Sequence, residues 1–199
     1  MEVVFFIKSS SVDITNYTIK DIPGSSGRLD VISRCIFAAL LNQKGFNNNI
    51  QIWVFLEKYG TFIFNSESFD EEVFPKNEIL LTEYFVDLIQ NRTGQLKYSK
   101  NPLKSIIYIN QDIFNTLKAY KKQKYSIYVL DESGKDFFKY IKEISSQEHI
   151  IFVIGSQTGE ILKSIELIEL NLPNLSLGTQ SYLASSVIRL IRLNLKLLI

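Results

Sequence analysis

Reactive side chains are scarce in this chain of 199 residues. It has one Cys (Cys35), one His (His149), one Trp (Trp53) and a single Met, at position 1. A lone Cys closes no internal disulfide, which points to a reducing setting. One His and one Cys far apart do not make a usual structural zinc site, so no metal is expected. No G-x-S-x-G elbow accompanies His149 and its neighbour Glu148, and a surface or strand-edge histidine is the expectation. No apolar run approaches the roughly 18 residues of a membrane span. Even the greasy C-terminus is punctuated by Arg189, Arg192 and Lys196. Residues 1–10 lack a charged n-region and a cleavage-like site, so a cytoplasmic protein away from the membrane is expected. An excess of one charge is missing too: 22 basic side chains against 21 acidic leave +1. A protein that coats nucleic acid by bulk charge is far more basic, so any RNA site here must be a local patch.

What is present is an ordinary globular composition, 46% hydrophobic and 22% charged, which excludes disorder. No repeat, low-complexity tract or Gly/Ser linker divides the chain. A single domain over residues 1–199 is expected. Residues 3–7 form a short β-branched and aromatic run, read as a strand. The turn-rich loop Asp21-Ile22-Pro23-Gly24-Ser25-Ser26-Gly27 follows. Over residues 28–41, Leu29, Ile32, Ile36, Ala39 and Leu40 recur at helical steps. Residues 50–56 alternate as a strand, with Gln51 and Trp53 on the face opposite Ile52 and Val54. Tyr59-Gly60 marks a hairpin before residues 61–64. Helices are expected over 81–91 and 111–122, with a short strand at 106–109 between them.

The last third is the most regular. Strands over 125–130, 149–154 and 172–177 are each followed by small or polar residues. Helices are then expected up to about 144, from 160 and from about 181. Strand–loop–helix units in series imply an α/β fold with a parallel sheet and helices on both faces. Ligands in such sheets sit at the carboxyl ends of the strands. The loops after Leu130, Ile154 and Leu177 therefore point to one shared pocket. Gly155-Ser156-Gln157-Thr158-Gly159 is neither a P-loop nor G-x-G-x-x-G, and taken singly each loop is a weak signal.

Four strings carry the reading further. DIPGSSGRLDVISRCIFAALL (residues 21–41) resembles the N-terminal signature of the archaeal tRNA pseudouridine N1-methyltransferases, members of the SPOUT superfamily. That signature runs close to D-x-P-G-x-x-G-R-L-D-V-x-x-R-C-x-x-A-A-L. YVLDESGKDF (128–137), FVIGSQTGE (152–160) and NLSLGTQSYLASSVI (174–188) follow in the family's order and spacing. The resemblance covers essentially the whole chain. It implies a SPOUT-type parallel sheet flanked by helices, with the C-terminal segment threaded into a deep trefoil knot. It also implies S-adenosylmethionine as cofactor, a homodimer, and methylation of N1 of a pseudouridine at position 54 in the T loop of tRNA. By position, the cofactor-binding residues would be Leu130, Gly155, Ser176, Leu177, Gly178, Thr179, Gln180, Ser181 and Val187. Gly155 and Gly178 also suit a close approach of backbone to ligand.

A sulfonium methyl is already activated, so the protein mainly aligns the transfer and excludes water. N1 of pseudouridine must lose a proton, which suits a carboxylate within hydrogen-bond reach. Asp30 is the candidate, with Arg28 beside it to hold a phosphate or a base carbonyl. The same pair also reads as a plain first-turn ion pair. Arg34 of the signature is a candidate for the RNA face. Lys121 and Lys122, in the run with Lys118 and Lys124, are candidates for phosphate contact or for a solvated helix end. Cys35 reads as core. Residues 181–194 are apolar on nearly all sides, as for a helix buried at a dimer interface or between core and knot.

Where the family reads Gly-Asp-His-x-Gly, this chain has Gly155-Ser156-Gln157-Thr158-Gly159. Thr179 replaces the usual Pro, and Ser185, Ser186 and Val187 stand where an Asp-His-Cys run is typical. Two further readings keep the fold: a diverged dimer that binds RNA or cofactor without turnover, and a methyltransferase for a ribosomal RNA pseudouridine.

Overall fold

The computed structural model describes residues 1–91, 100–155 and 161–196. In chain order the elements are β1 (Glu2–Ser9), a 3-10 turn (Ile19–Asp21), α1 (Ile22–Ser25), α2 (Leu29–Leu40), β2 (Leu41–Asn42), β3 (Gly45–Phe46), β4 (Ile50–Leu56), β5 (Gly60–Asn65) and α3 (Glu78–Asn91). They continue with β6 (Ile107–Ile109), α4 (Ile113–Lys122), β7 (Ser126–Asp136), α5 (Phe137–Ser145), β8 (His149–Ile154), α6 (Ile165–Glu169), β9 (Asn174–Ser176) and α7 (Ala184–Lys196).

β1 lies inside a seven-stranded sheet of order β6-β5-β4-β1-β8-β7-β9. β4, β1, β8, β7 and β9 run parallel, so their carboxyl ends share one edge. The expectation of a parallel sheet is corrected on one side. β5 turns back from β4 through the Tyr59-Gly60 hairpin, and β6 pairs antiparallel to β5, which makes the sheet mixed. A connection as short as residues 57–59 can only return a strand beside its predecessor.

Alternate residues face opposite layers, as the period of a strand requires. Val3, Phe5 and Ile7 of β1 join Ile52 and Val54 in a core covered by α2, α3, α5 and α7. Val4 and Phe6 join Trp53 and Phe55 in a second core under α4 and α6. Burying a ring such as Phe5 or Phe6 contributes about 2 kcal/mol. His149 stands at the start of β8, half exposed, with Nδ1 2.8 Å from Glu2 Oε2.

Three of the boundaries that differ from the sequence reading shape the carboxyl edge. The strand expected to end at Leu130 continues to Asp136, through a register shift between Leu130 and Lys135 against β9. Gly134 permits this close pairing: a Cβ there would lie 2.7 Å from backbone atoms of Asn174 and Leu175. The helix expected from 160 begins at Ile165, where Ser164 accepts from Leu167 N, and residues 156–160 lie outside the described residues. The last helix begins at Ala184 rather than 181.

α2 and α7 lie side by side and run the same way, back from the carboxyl edge. Arg192 of α7 donates through Nη1 to the carbonyls of Ala38 and Leu41, at the end of α2, the second at 2.8 Å. Among the described residues it has no carboxylate partner, so the negative end of α2 holds it. Burial, helped by nearby Arg189, lowers the Arg192 pKa to about 10. Cys35 of α2 is 1% exposed, and burial pushes its thiol up to about 12 against the opposing pull of Arg34 and Arg189. An aromatic disulfide reagent is expected to leave the native protein unlabelled and to titrate one thiol after denaturation. Prompt labelling of native protein would contradict this.

Candidate cofactor and substrate site

The three loops singled out from the sequence meet. At the carboxyl edge, the ends of β7, β8 and β9 and the segment leading into α7 enclose a cavity of about 400 Å³. Leu130, Gly155, Leu177, Gly178, Gln180, Ser181 and Val187 all line it. Ser176 and Thr179 do not. Ser176 is buried beneath the wall, donating from Oγ to the Gly178 carbonyl at 2.8 Å and accepting from Gly178 N at 3.1 Å. That pair of bonds shapes the turn, and Gly178 adopts φ +137, which L side chains rarely take. Thr179 is exposed.

Sequence reasoning missed other lining residues. Asp131 and Glu132 enter because β7 continues past Leu130, and Tyr182 and Leu183 because α7 starts late. Their signal was weak: an acidic pair after a strand reads as an ordinary turn. The resulting wall joins apolar surface from Leu130, Ile154, Leu175 and Val187 to two carboxylates and the Gln180 carboxamide. Pockets for drug-sized ligands commonly span about 300–1,000 Å³ and combine apolar walls with a few polar groups. The cavity therefore suits a small molecule that is apolar in one part and cationic or hydroxylated in another.

Arg28, Asp30 and Arg34 sit at the start of α2, on the same edge but not in the cavity lining. The side-by-side run of α2 and α7 places this turn one helix away from Val187. Arg28 holds φ 71, straight after Gly27 at φ 60, so two successive left-handed residues turn the chain into α2. A strained non-glycine residue in such a position is a common mark of a functional site. Asp30 is buried and bridges two guanidiniums. Arg28 Nε donates to Oδ1 at 3.1 Å and Arg28 Nη2 to Oδ2 at 3.3 Å, while Arg34 Nη2 also donates to Oδ2. Arg34 Nε lies 3.4 Å from Glu78 of α3. Burial pushes the Asp30 pKa upward, but bonds and charge from Arg28 and Arg34 outweigh it and hold the group below the usual carboxylate range. Asp30 is thus an ionised acceptor at neutral pH, and Arg28, 46% exposed at its side chain, is the freer of its two partners.

The remaining candidates lie elsewhere. Lys121 and Lys122 end α4, which returns from the carboxyl edge to the start of β7, so they stand at the opposite edge of the sheet. Lys121 Nζ donates to the Leu170 carbonyl at 2.5 Å, tying α4 to the end of α6, and Lys122 is exposed. No group of three or more His, Cys, Asp or Glu that could hold a metal occurs among the described residues. No helix among them is long and apolar enough to cross a membrane.

Fold and cavity together define an α/β protein with a candidate ligand site at the carboxyl edge of its sheet. The family described as "Putative SAM-dependent RNA methyltransferase" matches residues 3–197, and the chain belongs to it. Its class of activity is therefore S-adenosylmethionine-dependent methylation of RNA, and its cofactor is S-adenosylmethionine.

Among curated relatives, a tRNA (pseudouridine(54)-N(1))-methyltransferase of Pyrococcus abyssi is 24% identical over 199 residues, covering 96% of each chain. The enzyme of that name from Thermococcus onnurineus is 24% identical over 196 residues, covering 92% of each. Among solved structures, Archaeoglobus fulgidus Nep1 bound to S-adenosylhomocysteine superposes with a TM-score of 0.66. That match covers 98% of both chains at 16% identity, and it shows a shared SPOUT-like fold.

Proposed function

We propose that this protein methylates N1 of pseudouridine at position 54 in the T loop of tRNA, and that it acts as a homodimer in the cytoplasm with its C-terminal segment knotted. The observation that carries the reading is the meeting of three separate loops around one cavity, beside the strained Gly27-Arg28 turn of the signature string. End-to-end similarity to the two tRNA enzymes supports the choice of substrate. Leu183 and Leu193, each more than half exposed on or beside α7, support a partner subunit there.

S-adenosylmethionine supplies a methyl group already activated on a sulfonium, leaving alignment and proton handling to the protein. The apolar walls from Leu130, Ile154 and Val187 would hold the adenine, with Asp131 and Glu132 near its polar and cationic groups. Gly155 and Gly178 admit backbone close to the ligand, and Ser176 keeps the Gly178 turn in shape. Asp30 accepts the hydrogen bond from N1–H and then its proton. Arg28 leaves Asp30 for an RNA phosphate or a base carbonyl. Losing one of two guanidiniums raises the basicity of Asp30 when substrate arrives. Arg34 stays behind as its anchor.

Two transcripts of the T-arm, one carrying pseudouridine and one uridine, test the proposal with labelled cofactor. Methyl transfer is expected only to the first, with 1-methylpseudouridine as the nucleoside product. Equal labelling of both, or a ribosomal hairpin outcompeting the T-arm, would sink it. Asp30→Asn is expected to lower the methylation rate by about 100-fold or more and to remove the acid limb of the pH–rate profile. A group whose folded pKa is depressed stabilises the fold above its ordinary carboxylate value and loses that contribution as pH falls through the folded pKa. The variant should therefore be less stable than wild type at neutral pH, with the gap closing in acid. An unchanged acid limb would remove Asp30 from the chemistry.

A further inference from the structure

A second cavity, of about 380 Å³, opens on the same carboxyl edge, on the far side of β1 from the first. It is bounded by the β4–β5 turn, by Tyr108 of β6 and by Phe114 in the first turn of α4. The Tyr108 ring lies against Gly60, where a Cβ would approach it to 2.7 Å. Lys8, from the end of β1, points between these walls. Its Nζ is 5.5 Å from the centre of the Phe114 ring and 3.8 Å from Glu57. Asn110 and Gln111 are exposed at the rim. Lys58 is engaged elsewhere, 2.5 Å from Asp13, so Lys8 is the cation this cavity offers.

We infer that this cavity holds an unstacked nucleotide of the RNA substrate, other than the one that is methylated. The inference rests on the RNA methyl-transfer reading above. Aromatic rings receive the face of any base, and stacking on them is a main source of single-strand affinity. Carboxamides at a rim pair with base edges, and one lysine meets one phosphate. Glu57 beside Lys8 and Asp112 in the same wall leave the cavity no excess of positive charge, which disfavours a duplex backbone and favours capture of a base. Placement agrees: β4 and β7 stand three positions apart in the sheet, about 14 Å at the usual interstrand spacing. A few nucleotides of single strand bridge that distance, so a strand whose target base meets the cofactor at the first cavity can lay a neighbouring base in the second. A chain of net charge +1 has no bulk attraction for RNA, so an added local grip is needed.

The test uses T-arm hairpins with 5-iodouridine at single positions, irradiated with the full-length protein, and mass spectrometry of the crosslinked peptides. Crosslinks to Tyr108 or Phe114 from a position other than the target are expected. The triple variant K8A/N110A/Q111A is expected to bind the hairpin about tenfold or more weakly, with cofactor affinity and unfolding midpoint unchanged. The inference is overturned if wild type binds the hairpin but spares both rings, or if the triple variant binds like wild type. If wild type binds no T-arm, the tRNA reading fails separately. A random iodouridine-containing RNA pool then decides the cavity by the same two rings, and absence of any RNA binding overturns both.

Discussion

Val187→Trp is expected to abolish cofactor binding and methyl transfer while leaving the fold intact. Val187 is half-buried in the second turn of α7, with its side chain on the wall of the 400 Å³ cavity. An indole there occupies space that an adenine-sized group would need, and the cavity is open enough to receive it without displacing the core. The buried face of α7, with Ile188 and Ile191 at 0% exposure, lies beside this position and is left alone. The measurement is thermal unfolding with and without S-adenosylhomocysteine. A ligand present at 100 times its dissociation constant stabilises the native state by about 2.7 kcal/mol. Wild type should show that shift, and the variant should unfold at the same temperature with or without ligand. A full ligand shift in V187W would mean that the cofactor sits elsewhere.

The second large effect falls on stability. Gly27→Ala is expected to destabilise the protein by about 4 kcal/mol, among the larger values for a single substitution. Two costs combine. Gly27 has φ +60, and its Cβ would lie 1.8 Å from the Ser11 carbonyl oxygen, a backbone atom that cannot swing aside. The Ser11–Asp13 segment is itself bound to this turn: Ser11 Oγ donates to the Gly27 carbonyl at 2.9 Å, and Asp13 N to that of Ser26 at 3.2 Å. Relief of the clash must therefore break bonds that brace Arg28 and Asp30. Guanidinium unfolding monitored through Trp53 reads the loss directly. Ser11→Ala, which removes one exposed bond, is the comparison, at about 1 kcal/mol. If both variants unfold alike, the turn has slack that its geometry does not show.

Much of the architecture was legible because hydrophobic period is a local property. The alternation through Gln51, Ile52, Trp53 and Val54 assigned faces that the two cores then confirm. The helix read at 28–41 is α2 at Leu29–Leu40. The mistaken boundaries share a cause. β7 was cut at Leu130 because Asp131-Glu132-Ser133-Gly134 has turn composition, whereas β9 pairs with it through a register shift. A partner more than 35 residues away decides that, and no local signal records it. The site was legible in the same uneven way. Seven of the nine residues placed by resemblance line the cavity, because their loops follow strand ends that the sheet must bring to one edge. Ser176 and Thr179 fall outside it, since which way a turn residue faces depends on the Ser176–Gly178 bonds. Lys121 and Lys122 read on charge as a phosphate patch or a solvated helix end, and topology carries them to the edge opposite the cavity.

By itself, then, the sequence determined the class of fold, the strand ends around which the first cavity forms, and the scarcity of reactive side chains. These follow from period, turn chemistry and composition, which each stretch of chain carries within itself. Only tertiary structure decided that Asp30 is gripped by two arginines, that an acidic pair enters the first cavity, and that a second cavity with Lys8 shares its edge. Each of these is a meeting of residues remote in the chain, set by sheet order and helix packing. That single His and single Cys prove to be one strand-edge partner of Glu2 and one buried core thiol.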